Sequence, residues 1–318
     1  MLKYLFATLR RSWRLFLAIA KIIVPVMILV QIGENYGLID MLGQLLGPVM
    51  GLLNLPAEAG IIWATTILTG IYGGLASIAS LSGTLELTGG QLSALAAMML
   101  FAHNMPVEQS IVHRAGASFS ATALLRIVTA TLYGAAVSWG SYWTGWLGDK
   151  HSFAWLRGSD MISSTETTGM LAWVQATSFS LALTFGVILC LVIVLDAFDK
   201  LGITRRFTAA ITPVLRLSGL DEQAAPVTTV GVLLGLNYGG ALIIEEADKR
   251  GFSPRTRLLA LSWLCLTHSL IEDTLLLAAI GADVLVIVAG RLAVTLLVMA
   301  ILARLTREPK AFRTARAR

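Results

Sequence analysis

The chain has 318 residues, 56% of them hydrophobic and only 14% charged, and carries a net charge of +5. A soluble domain normally carries about 25% charged residues, so the composition excludes an ordinary soluble fold and points to an all-α polytopic membrane protein. Its apolar runs do not alternate as barrel strands would, and its basic residues flank those runs instead of forming the single patch that nucleic acid requires.

Residues 1–19, "MLKYLFATLRRSWRLFLAI", read as a basic, partly amphipathic lead-in; no small-residue cleavage site follows, so they are not taken as a signal peptide. A first repeat is expected over 20–139. Roughly residues 13–32 cross outward, and 38–54, punctuated by Gly43, Gly47 and Pro48, lie along the outer interface. Residues 59–82 dip in and return as a re-entrant hairpin, with Tyr72, Gly73 and Gly74 supplying the helix break. Residues 91–116 cross inward, interrupted near "HNMP", and 118–138 cross outward as the closing helix. The segment 140–184 is an external, Trp-rich linker and entry to the next span, with Trp143, Trp146 and Trp155 suited to the membrane interface. Residues 185–304 form a second repeat, and 305–318 a basic cytoplasmic tail. Cys190 and Cys265 both fall in apolar helices and read as buried small hydrophobes, with no disulfide framework.

The repeat rests on spacing. His103 and His268 are 165 residues apart (268 − 103 = 165), as are Glu108 and Asp273, and Arg126 and Arg291. "GPVMGLLNL" from Gly47 meets "TPVLRLSGL" from Thr212 at the same spacing, whereas the two "YGG" motifs, Tyr72–Gly74 and Tyr238–Gly240, are one residue further apart. Charge orients the halves. No lysine or arginine lies between Lys21 and Arg114, while the matching stretch of the second half carries Lys200, Arg205, Arg206, Arg216, Lys249, Arg250, Arg255 and Arg257. Cytoplasmic loops collect basic residues, so the repeats are expected to be inverted, with both termini cytoplasmic in a bacterial inner (plasma) membrane.

Inverted repeats whose broken helices meet near the midplane are a common secondary-transporter design. The residues expected to bind substrate are Tyr72, Gly73, Gly74, His103, Asn104 and Gln109 from one half, and Asn237, Tyr238, Gly239, Gly240, His268 and Ser269 from the other. Each histidine is followed five residues later by a carboxylate, so Glu108, Glu272 and Asp273 are the candidate ion-coupling groups, with Na+ or H+ left open. Arg126 and Arg291 fall mid-span and must face protein or water; they are read as buried struts for carboxylates such as Glu108 and Asp273, or as anion ligands. No phosphate-binding GxxxxGK[ST] loop, HExxH or Cys-rich zinc spacing is present, and "SGTLELTGG" lacks a strand–turn–helix setting, so no enzyme is expected.

On these motifs the chain resembles the nucleoside-recognition or gate-domain superfamily. That group includes the spore maturation proteins A and B and the gate of ferrous-iron transport protein B, and the core of concentrative nucleoside transporters is similar. The resemblance rests on an interfacial helix, glycine-broken hairpins ("IYGG", "NYGG"), interrupted helices ("AHNMPVEQ", "THSLIED") and closing helices. It implies substrate held between hairpins and interrupted helices, with cation coupling. It departs from those relatives in lacking a GTPase domain and in fusing two gate halves. Three readings follow. The first is a cation-coupled secondary transporter of a small polar solute, nucleoside-like or anionic, in which the two histidines bind substrate or relay protons. The second is an iron, manganese or zinc permease using His103, Glu108, His268, Glu272 and Asp273. The third is a non-transporting membrane scaffold. The expected partners are a small-molecule or ion substrate, the lipid bilayer and, as an option, further copies of the chain; no cofactor is implied.

Overall fold

The computed structural model describes residues 2–153, 170–202 and 251–306, and between the last two stretches residues 206, 209, 213, 220, 224–236, 243, 244, 246, 247 and 249. The first half runs α1 (Leu2–Asn35), α2 (Leu38–Leu52), α3 (Ala57–Thr69), α4 (Ile71–Leu81), β1 (Glu86–Thr88), α5 (Gly89–Phe101), α6 (Met105–Arg114) and α7 (Phe119–Thr144). It continues with β2 (Lys150–Ser152), α8 (Met170–Lys200), α9 (Ala225–Leu234), α10 (Pro254–Thr267) and α11 (Glu272–Ala279). A π-helical turn, Leu285–Gly290, leads into α12 (Arg291–Leu305). The chain is therefore a mostly helical membrane protein. Three described stretches are long and apolar enough to cross a bilayer: Phe119–Thr144, Thr177–Val194 within α8, and Leu285–Leu305. Gln44–Leu52 and Ala57–Thr69 qualify together as a pair bent by 96°.

Local chemistry sets the helix boundaries, and it does so twice. Thr88 caps α5 with a reciprocal capping box to Gln91, and Ser253, 165 residues on, caps α10 by accepting from the Thr256 amide. Left-handed backbone recurs at the same spacing: Gly37 and Gly202 (φ 69° and 67°), Gly70 and Gly235 (94° and 96°), Asn104 and Ser269 (47° and 50°), Gly116 and Gly281 (95° and 102°). Two stretches of unlike sequence thus solve the same sequence of turns.

Three expectations need correction. The hairpin helix breaks at Gly70, not at Tyr72–Gly74, which lie inside α4. One glycine suffices there because only that residue takes the left-handed φ. Gly73 and Gly74 serve packing instead: a Cβ on Gly73 would collide with the Thr69 hydroxyl, and one on Gly74 with the Thr66 hydroxyl and Met99. Second, one short ribbon accompanies the helices of this mostly helical fold. β1 pairs antiparallel with β2, Leu87 opposite His151, and "SGTLELTGG" runs turn, strand, helix, with no turn between the strand and α5. Third, Cys265 is buried but Cys190 is exposed on α8. Trp143 and Trp146 are exposed, and Trp155 lies outside the described residues.

Cα proximity divides the chain into two compact units. The first comprises Met1–Pro106, Ala130–Ile203 and Ile271–Ile287. Within it α1 packs on α4 and α8, α2 on α3, and α3 on α4 and α5. Trp13, Phe16 and Phe185 join α1 to α8 through ring contacts of 5.4–5.5 Å. Asn54, Gln91 and Ser138 tie the α2–α3 corner to α5 and α7 by hydrogen bonds. The Tyr133 hydroxyl donates to Val286 O at 2.8 Å, giving a partner to a carbonyl of the π turn. The second unit comprises Val107–Thr129, Thr204–Leu270 and Val288–Arg318. Here α9 and α12 pack on α10, and Arg255 donates to the carbonyls of Ala303 and Thr306 at the C-terminal end of α12.

Candidate functional site

In the first unit the site is built where α5 stops. His103 follows the C-cap residue Ala102 and folds back, so that its Nδ1 meets Met99 O, four residues earlier, at 3.0 Å. A carbonyl oxygen can only accept, so Nδ1 carries the hydrogen and Nε2 faces outward. Nε2 lies 3.6 Å from Asp273 Oδ2 in the first turn of α11. The neighbouring Glu272 accepts from the Tyr72 hydroxyl at 3.3 Å. Asn104 turns the chain in the left-handed region, and its amide donates to Thr66 O at 3.0 Å. The Gly70 amide donates to the same oxygen, so one C-terminal carbonyl of α3 serves both breaks. Gly70 itself lies against Asn104, with room for a Cβ at 3.6 Å from Asn104 Cβ.

The second unit repeats this plan. His268 follows α10, and its Nδ1 meets Leu264 O, again four residues back, at 2.6 Å. Its Nε2 lies 3.2 Å from Glu108 Oε1. The other Glu108 oxygen is 2.7 Å from Nη1 of Arg126, whose side chain is wholly buried. Beside this pair Gln109 Oε1 accepts from the Thr122 hydroxyl at 2.6 Å. Arg291 donates through Nε to Leu266 O at 2.8 Å and through Nη2 to His268 O at 3.2 Å, which satisfies carbonyls at the end of α10. The Leu270 amide donates to Val232 O of α9. A Cβ on Gly235 would sit 3.0 Å from the Ser269 hydroxyl.

Each histidine thus pairs with the carboxylate of the other sequence half: His103 with Asp273, and His268 with Glu108. Of the residues singled out from sequence, His103, Asp273, Tyr72 and Glu272 converge in one unit, and His268, Glu108, Gln109, Arg126 and Arg291 in the other. Asn104 and Ser269 act through their backbone. Gly73 and Gly74 are packing positions in α4. Asn237, Tyr238, Gly239 and Gly240 lie outside the described residues. Thr66 and Thr122 were not singled out; Thr122 precedes Arg126 by one helical turn, and that spacing was the available signal.

Residues 16–121 match the family model of the Gate domain, described as nucleoside recognition. The matched stretch includes Gly70, His103, Asn104, Glu108 and Gln109. The chain is 26% identical over 286 residues to the uncharacterized membrane protein YvoD of Bacillus subtilis (strain 168), a match that covers 89% of each chain. No solved structure matches the chain.

Proposed function

We propose that the chain is a cation-coupled secondary transporter of a small polar solute, nucleoside-like or anionic, working by alternating access between two inverted repeats in the plasma membrane. The observation that carries this reading is the buried histidine–carboxylate pair beside a left-handed helix break, present twice at one spacing of 165 residues. Ionisable groups inside a membrane are expensive and mark substrate or ion pathways. Broken helices are tolerated there only where protein, water or a ligand satisfies the freed backbone groups. The gate-domain match supports a nucleoside-like solute, and the guanidinium of Arg126 beside His268 equally suits an anion. His103, Asn104, His268 and Ser269 would contact the solute, while Glu108, Asp273 and Glu272 would couple the ion.

The second reading is a divalent-metal permease, in which Glu108 would be the weakest ligand, because a guanidinium already lies on one of its oxygens and a second cation would share that carboxylate with a fixed positive charge. The test is the melting temperature of the purified protein with uridine, succinate, Fe2+, Mn2+ or Zn2+, each with and without sodium. A ligand that binds only the folded state raises the melting temperature by mass action. Stabilisation by uridine or succinate that is lost in His103→Ala or His268→Ala supports the transporter. Stabilisation by a metal alone would overturn it in favour of the permease, and loss of function only on removing the basic tail would favour a scaffold.

A further inference from the structure

We propose that the exposed face of α1 binds an anionic phospholipid, its phosphate held by Arg10 and Arg14 and its charge shared by Lys21; this does not depend on the transport reading. At 3.6 residues per turn the three cations fall within a sector of about 40° around the helix, and all three are exposed. Phe6, Trp13 and Leu17 flank them on the same side, each 45–67% exposed. Trp13 is steadied there by ring contacts to Phe16 at 5.4 Å and to Phe185 at 5.5 Å. The opposite side turns inward, with Thr8 and Ser12 buried and α4 and α8 packed on the helix. No aspartate or glutamate occurs in α1 before Glu34, and no described carboxylate pairs with any of the three cations.

Neither water nor hydrocarbon suits this face. Water would meet a row of large apolar side chains, and hydrocarbon would strand three cations. The headgroup layer serves both, with rings and stems at the acyl boundary and charges among phosphates. Helix length places the face in that layer. From Arg14 to Asn35, where α1 ends, 21 residues (35 − 14 = 21) rise about 31 Å, the thickness of a hydrocarbon core. Trp13 marks one boundary, and Tyr36, 79% exposed at the turn into α2, marks the other. Arg10 and Arg14 stand one turn apart, roughly 6 Å along the axis, a spacing at which two guanidiniums can share one phosphate. Lys21 lies about 10 Å deeper, and its four-carbon stem reaches back toward the headgroup. Ile28 and Ile32 continue the same sector and lie exposed along the path of an acyl chain. An anionic lipid is favoured over a zwitterionic one because each cation beside an anionic headgroup contributes about a fivefold factor.

The test uses the full chain in mixed detergent micelles, titrated with phosphatidylglycerol or with phosphatidylcholine carrying brominated acyl chains. Bromine quenches nearby tryptophan, and the difference between the wild type and Trp13→Phe isolates the signal at this face. Phosphatidylglycerol is expected to quench Trp13 at a mole fraction roughly 10²-fold lower than phosphatidylcholine, the product of three fivefold factors. That preference should shrink as salt rises. Arg10→Gln, Arg14→Gln and Lys21→Gln should each weaken it about fivefold, whereas Lys150→Gln, on the exposed ribbon, should leave it unchanged. Equal quenching of Trp13 by the two lipids overturns the site, and that result needs no cation variant. A preference that survives the three glutamine substitutions together overturns it as well. If excess inorganic phosphate abolishes the preference, the cations hold a free anion and the lipid assignment falls.

Discussion

Removing the guanidinium of Arg126 tests how the buried charges are held. Arg126 is 0% exposed and its Nη1 lies 2.7 Å from Glu108. Taking away one member of such a pair strands the other, at a cost of roughly 3–5 kcal/mol. Glu108 would keep its contact to His268 at 3.2 Å, which places Arg126→Met at the lower end, about 3 kcal/mol by the same principle. Since about 1.4 kcal/mol is a factor of ten, the folded-to-unfolded ratio should fall roughly 10²-fold. Glu108→Met strands a buried guanidinium instead and should cost at least as much. The double variant strands neither charge; it removes the Glu108 contact to His268, a loss of about 1–3 kcal/mol. Equilibrium unfolding of the four proteins in mixed detergent micelles, read by tryptophan fluorescence, gives the double-mutant cycle. The expected coupling is about 3 kcal/mol or more. If the single costs add to the double within about 0.5 kcal/mol, Arg126 and Glu108 are not coupled and the strut is refuted.

Gly70→Ala and Gly235→Ala should each cost roughly 1–2 kcal/mol, because each forces a Cβ into left-handed backbone; an unchanged melting temperature would mean the breaks lie elsewhere. Gly74→Ala should cost about 1–3 kcal/mol through collision with Thr66 and Met99. Gly51→Ala, in α2 with no atom within 4 Å of the new methyl, should instead stabilise by up to about 1 kcal/mol, and equal melting shifts in the two would count against the packing assignment. In the exposed ribbon the Lys150 ammonium, 2.7 Å from Glu86, holds that carboxyl below its usual range, and Glu86 in turn raises Lys150. The small contribution of Glu86 is therefore present above the ordinary carboxylate range and fades as pH falls through it. That of Lys150 fades as pH rises through the lysine range. Lys150→Ala should change the melting temperature little at neutral pH and should flatten the acid-side difference.

Much of this was legible because the chain solves one local problem twice. His103 and His268, Glu108 and Asp273, and Arg126 and Arg291 keep one spacing because each occupies the same place in a repeated set of turns. The position of the break was misread because a glycine pair attracts attention and a single glycine does not. The clue was the extra residue of spacing between the "YGG" motifs, since Gly70 and Gly235 keep the common 165. The exchange of partners was beyond reach: five residues separate His103 from Glu108 in sequence, and nothing in that spacing says that Asp273, from the other half, would face the imidazole. A three-residue strand is too short to show alternation, and the π turn before Arg291 has no counterpart before Arg126 and no sequence signature.

The backbone at the two breaks argues that they are more than interruptions. Asn104 and Ser269 are non-glycine residues held at φ 47° and 50°, each immediately after a buried histidine and four residues before its repeat-related carboxylate. A break needed only to end a helix could use glycine at no such cost, as Gly70 and Gly235 do nearby. Strain of this kind persists where the surroundings fix it, and it clusters at functional sites. Here the surroundings are identifiable. Thr66 O fixes the Asn104 amide, and Val232 O fixes the next residue after Ser269. Both carbonyls belong to the last turn of a helix that ends in a left-handed glycine. Thr66 O keeps the Gly70 amide and takes the Asn104 amide as well, and holding Asn104 is what turns His103 back onto Met99 with its Nε2 toward Asp273. Glycine break, strained residue and imidazole thus sit together in both units, with Leu270 in place of the strained residue itself held by the helix carbonyl in the second.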